Sequence, residues 1–193
     1  MKRKLVKLTA AGAALSMLAG CIVLSVYPFY TDKDVIFDAG LTGQWVKSGT
    51  TNEFWQFADV SGKFYMLTTI DTQDTNVFEA HLFQLKQNQF LDLLTTNRHE
   101  FELPMHLIAQ VKRGDTNWSL HFLDYGWLAG LLQTNPAVLP HIIVPENSSD
   151  TNSGNMLYLT ADTRELQHFL LKHVSDTNAF SADSVVELQR VPQ

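Results

Sequence analysis

Cysteine is almost absent from this 193-residue chain: Cys21 is the only one. A single thiol excludes an internal disulfide and any metal site built from several cysteines. Basic residues are scarce too, fourteen Lys and Arg against twenty Asp and Glu. Four of the fourteen (Lys2, Arg3, Lys4 and Lys7) fall at the very start, so from Cys21 onward ten basic residues face twenty acidic ones, a net charge of −10. That field repels phosphate backbones and argues against a nucleic-acid partner. Familiar catalytic signatures are also missing. There is no Gly-x-Ser-x-Gly elbow, no phosphate-cradling Gly-x-x-x-x-Gly-Lys-Ser/Thr loop, no His-Glu-x-x-His helix and no dinucleotide fingerprint. An enzyme is therefore not expected, and neither is a cofactor or a resident metal.

What the chain does have is apolar and aromatic. Hydrophobic residues make up 45%, with twelve Phe, four Trp and five Tyr, enough to fill the core of one domain without covalent help. Residues 1–20 read as a leader, with a basic start followed by an apolar run from residue 8 to residue 18. Its last residues and the cysteine, Leu18-Ala19-Gly20-Cys21, resemble the lipobox of bacterial lipoproteins. That resemblance implies cleavage before Cys21, a diacylglyceryl thioether on its sulfur, and often a third acyl chain on its amine. Two or more chains anchor durably where one holds weakly. The cysteine is then consumed and cannot act as a nucleophile. Ile22 in place of Asp after the cysteine points to the outer membrane, facing the periplasm, under enterobacteria-like sorting. The competing use of the same run is an uncleaved span over residues 8–30, close to the about 20 residues that cross a bilayer. Pro28 and the lipobox favour cleavage.

After the leader, residues 21–38 form a lipidated N-terminus and short apolar tether, and residues 39–193 a single β-rich domain. The stretch at 22–30, Ile-Val-Leu-Ser-Val-Tyr-Pro-Phe-Tyr, either packs with the domain or lies among lipid headgroups, where aromatic rings are accommodated. Beyond it, strand-like runs alternate with turn signals. The expected strands are 43–48, 53–58, 63–70, 77–85, 89–94, 101–112, 117–123, 139–144, 155–160 and 185–191. Alternation is clearest at 101–111, where Phe101, Leu103, Met105, Leu107, Ala109 and Val111 share one face and Glu102, His106 and Gln110 the other; Pro104 suits an edge or a bulge. Two helices are expected. Residues 125–134 follow Asp124 as N-cap, and residues 163–173 follow Asp162 with Glu165 completing a capping box. The fold class is mainly β: an antiparallel meander forming a lipocalin-like or partly open barrel or sheet, with two short helices packed on it.

Asp-Thr-Asn recurs at 74–76, 115–117, 150–152 and 176–178. The irregular spacing fits no repeat, and Asp and Asn at turn positions favour turn chemistry over a calcium site.

Gly43-Gln44-Trp45 at the first long strand resembles the Gly-x-Trp start of lipocalins, in which the Trp closes one end of an up-and-down barrel. The remaining lipocalin signatures are not evident. The mature part also resembles a set of bacterial lipoproteins that share Ser-x-Tyr-Pro-Phe-Tyr (here Ser25 to Tyr30), Phe-Glu-Ala-His-Leu-Phe (78–83), Phe-Leu-Asp-Leu (90–93) and Leu-Gln-x-Phe-Leu-Leu-Lys-His (166–173). That likeness carries no activity with it.

Candidate ligand-binding residues are Trp45, Glu79, His81 and His121. Glu79 and His81 share one strand face and could bind metal or move a proton if that face lined a lumen. Phe78, Ala80 and Leu82 on the other face claim the core more strongly. His168 and His173 are five apart on a helix and diverge, so they cannot share a metal. The expected function is a membrane-anchored envelope lipoprotein whose barrel binds a hydrophobic small molecule or lipid. The alternative is a non-catalytic structural or assembly factor that docks an envelope protein partner.

Overall fold

The computed structural model describes residues 23–72, 74–96, 103–114, 116–144 and 156–191; Cys21, Ile22 and the leader lie outside them. Eight antiparallel strands close a barrel: β2 (Gly43–Lys47), β3 (Phe54–Val60), β4 (Phe64–Ile70), β5 (Thr75–Leu85), β6 (Asn88–Thr95), β7 (His106–Arg113), β8 (Asn117–Phe122) and β11 (Val185–Arg190). Seven follow one another as a meander. The eighth, β11, returns after an insertion and zips β8 to β2, with Val186 opposite Leu120 and Leu188 opposite Lys47. Full closure leaves the barrel itself no open edge.

The insertion carries α1 (Tyr125–Thr134), a 3-10 turn at Pro136–Val138, β9 (His141–Val144), β10 (Met156–Leu159) and α2 (Thr163–His173). Both helices begin where their caps dictate. The Asp124 side chain accepts from the Trp127 amide. Asp162 and Glu165 form a reciprocal capping box, satisfying two otherwise unpaired amides. β9 and β10 join β1 (Val23–Ser25) in a three-strand extension that leaves the barrel where Ser25 pairs with His106. The expected strand at 101–112 starts later than its alternation suggests. Residues 103–105 precede β7, with Leu103 exposed and Pro104 outside the ladder, while Phe101 and Glu102 lie outside the described residues.

Period-two alternation produces two cores. One fills the barrel lumen, where Trp45, Phe57, Tyr65, Leu67, Leu82, Leu91, Leu120 and Leu188 are among the buried side chains that pack together. The other lies outside, between the outer face of β5–β7 and the insertion. Phe83, Phe90 and Ile108 meet Leu128, Leu157, Leu166, Phe169 and Phe180 there.

The N-terminal segment belongs to this body. Val23 and Phe29 are buried in the outer core, and Val35 bridges to Phe83. Of the two placements open to residues 22–30, the described part thus takes packing with the domain. The packed body begins at least as early as Val23, ahead of residue 39. The physical reason is that Val23, Phe29 and Tyr30 complete the outer core.

Two of the Asp-Thr-Asn copies have describable turns. Asp176 accepts from the Asn178 amide, closing an Asx turn, and Asp74 donates its amide to Asp71. The 150–152 copy and Asp115 lie outside the described residues.

Candidate functional site

Trp45 sits inside the lower half of the barrel, the end that also carries the β3–β4 and β7–β8 turns. Its indole Nε1 donates to Leu41 O at 2.8 Å, and Leu41 is fully buried beside it. Trp118 meets it edge-on, ring centres 6.3 Å apart. Two guanidinium groups cover the pair from outside: Arg190 lies 4.6 Å over Trp45, and Arg113 5.4 Å over Trp118. Arg190 also donates to Gly40 O, and Arg113 pairs with Asp38. Residues 37–41 complete the floor, with Phe37 stacked on Tyr65 and Tyr65 Oη hydrogen-bonded to the Asp38 backbone. Gly43 explains its own place in the motif: its φ of +119° is open essentially to glycine alone. A surface cleft of about 700 Å3 lies against this floor, between Arg113, Arg190 and the Gly114 turn.

Glu79 and His81 do not face the lumen. Phe78, Ala80 and Leu82 take that side, so the pair stands on the barrel's outer face. The imidazole is not left in solvent there, although the Glu79 side chain is partly exposed. His81 Nε2 and Glu79 Oε1 are 2.7 Å apart, and the imidazole is sandwiched between Tyr30 and Phe64, at 4.4 and 5.2 Å between ring centres. His81 Nδ1 is buried with no hydrogen-bond partner.

A second carboxylate–imidazole pair adjoins the first, because Asp92 is the cross-strand neighbour of His81. Asp92 is wholly buried, and its two oxygens accept from the Phe29 amide at 2.9 Å and from His106 Nδ1 at 2.7 Å. Burial pushes the Tyr30 hydroxyl pKa well above its ordinary value, reinforced by the negative charges of Asp92, Glu79 and Asp32. The row Glu79, His81, Asp92, His106 thus lies under Phe29 and Tyr30 and binds the N-terminal segment to β5–β7. Gln167 of α2 secures the same segment, donating to Phe29 O and to Asp34. Among the described residues, no three His, Asp or Glu side chains converge as metal ligands.

His121 also points outward from β8, and burial lowers its pKa, with nearby Lys112 adding to the effect. His173 packs on Trp127 and Phe169, and its pKa is lowered for the same first reason. His168 is exposed on α2. The expected candidates therefore do not form one site: Trp45 is on the barrel floor, Glu79 and His81 beside the N-terminal segment, and His121 beside the Phe180–Ser181 backbone. The residues missed from sequence are Asp92, His106 and Tyr30. A signal for Asp92 was present, since a carboxylate interrupts the otherwise apolar Phe90-Leu91-Asp92-Leu93 and falls opposite in phase to Leu91 and Leu93. No family model, curated protein or solved structure matches this chain.

Proposed function

We propose that this chain is a membrane-anchored lipoprotein of the bacterial envelope, lipidated at Cys21, whose barrel is a rigid, non-catalytic scaffold for docking an envelope protein partner. The observation that carries the docking half is the packed aromatic core inside the barrel. With Trp45, Phe57, Tyr65 and Trp118 packed inside the barrel, recognition falls to its outer surface. The carboxylate–imidazole pairs serve cohesion, since Asp92 is wholly buried and holds the Phe29 amide, and His81 is covered by Tyr30 and Phe64. Support for the anchor comes from the basic start, the apolar run and the placement of Cys21. Val23 is already part of a strand two residues later, so an anchored domain would sit directly on its lipid and reach only partners close to the bilayer. Ile22 favours the outer membrane.

A second reading rests on Trp55, Phe78 and Val186, which pack against the lumen core but are only partly buried. A hydrophobic small molecule or lipid could enter there by displacing them, as in a lipocalin-like carrier. Native mass spectrometry on protein released from bacterial membranes in mild detergent separates the two. A lipid-sized mass that leaves on activation supports the carrier. A ligand-free chain, unchanged after incubation with envelope lipid extract, supports the scaffold. A chain mass without acyl groups on Cys21 overturns the anchor under either reading.

A further inference from the structure

The sheet extension presents an apolar face beside the position of the anchor. Across β9 and β10, Ile142 pairs with Tyr158 and Val144 with Met156, so these four side chains share one face. Ile142 is 55% exposed and Val144 43%, and Met156 and Tyr158 are half-buried. None of the four carries a charge. Among the described residues β9 is the last strand in the sheet order and pairs only with β10. On the opposite face Leu157 and Leu159 are buried in the outer core, which holds the ribbon in place.

The register fixes where this face lies relative to Cys21. β1 runs parallel to β10 with Val23 opposite Leu157, and Leu157 is opposite Ile143 on β9. Neighbouring strands are about 4.8 Å apart, so β9 lies roughly 10 Å from β1. Two residues of chain reach at most about 7 Å, so acyl chains on Cys21 start within roughly 20 Å of the Ile142–Val144 edge. Lipid tails attached there cannot enter a bilayer while this corner of the sheet stays far from it.

We propose that the Ile142, Val144, Met156 and Tyr158 face is the surface on which the domain rests against the lipid bilayer, fixing its orientation once the acyl chains are inserted. The proposal rests on lipidation of Cys21. The contact is apolar with a tyrosine at headgroup depth, where its ring and hydroxyl are both accommodated. With a net charge of −10 after the leader, attraction to anionic lipid cannot supply the contact, so it forms on zwitterionic membranes and is insensitive to salt.

The test uses the full chain, processed in a bacterial host and reconstituted in phosphatidylcholine vesicles, with an environment-sensitive maleimide dye at Ile142→Cys or Val144→Cys. Lys63→Cys, on the β3–β4 turn across the barrel from β7, is the reference. The expected result is a blue-shifted emission at 142 and 144, with quenching by spin-labelled lipid several-fold stronger than at 63. Water-like emission equal to that at 63 overturns the proposal. So does a blue shift without lipid quenching, which would mean contact between copies or with another protein. Counting labels keeps the two ideas apart. Cys21 is the only native cysteine, so one dye per chain means its sulfur is occupied, whereas two dyes per chain refute the anchor whatever the fluorescence. Circular dichroism confirms that the labelled variants fold; both positions are exposed, so the dye displaces no core atom.

Discussion

Asp92→Asn tests whether the buried carboxylate holds the N-terminal segment on the barrel. Asp92 offers two acceptor oxygens, one to the Phe29 amide and one to His106 Nδ1. Asparagine has the same shape, but one of the two positions becomes an NH2 group facing a donor. With its oxygen turned to the Phe29 amide, the new NH2 faces His106 Nδ1, which must switch tautomer to accept it, and the charged acceptor is lost from both bonds. A hydrogen bond to a charged group contributes about 1.5–3 kcal/mol, and an orphaned buried donor costs about 1–3 kcal/mol. The tautomer switch at His106 avoids the orphan, so the loss of the charged acceptor sets the scale and the expected destabilisation is about 1.5–3 kcal/mol. With a urea slope of about 1–3 kcal/mol per molar, the unfolding midpoint falls by roughly 1–2 M. Tryptophan fluorescence reads that midpoint. Hydrogen exchange at the Phe29 amide reads the local event, which should open well before the rest of the barrel. A stability unchanged within about 0.5 kcal/mol, together with a Phe29 amide still as slow as its neighbours, would refute the assigned role.

Two further outcomes follow from the same geometry. His121 and His173 have pKa values lowered by burial, so the unfolded chain binds their protons more tightly. Their contribution to stability is complete above about pH 6.5 and is lost as pH falls through the folded-state values. The urea midpoint should therefore drop between pH 7.5 and pH 5, and less steeply in His121→Gln, His173→Gln; identical slopes would count against this account. Gly43→Ala places a Cβ at φ +119° and 3.2 Å from Arg190 Nη1, at a cost of about 1–3 kcal/mol. At about 2–4 °C per kcal/mol for a domain of this size, calorimetry should show a clear fall in Tm, and an unchanged Tm would mean the backbone relaxes freely there.

The barrel was legible because its strands alternate with the turns and one face is consistently apolar. Residues 77–85 show why: Phe78, Ala80 and Leu82 take the lumen, and the opposite phase is left outside. Both helices were readable from their caps, Asp124 and the Asp162–Glu165 box. The second core was not legible. Phe83, Phe90 and Ile108 break the inward phase, and only the inserted elements, brought back over the outer face, explain why those positions are apolar. For the same reason Glu79 and His81 looked destined for solvent. Nothing local announces that Tyr30, more than forty residues upstream, stacks on His81 and buries it. β1 was hidden as well, since Val23 to Ser25 is short and gains its place only from β10 and His106.

The distant return of β11 also has a kinetic consequence. Strands β2 to β8 can zip in sequence by hairpins, each closing a short loop. The last seam joins positions such as Gly40 and Arg190, 150 residues apart. Its closure entropy grows only slowly with length, but the search that precedes it is long-range and therefore slow. Until that search succeeds, the backbone of Gly43–Lys47 is an unprotected edge, and the Trp45 face of the lumen is open to water. The chain thus has one late, vulnerable step, and the insertion between β8 and β11 sets how long it lasts.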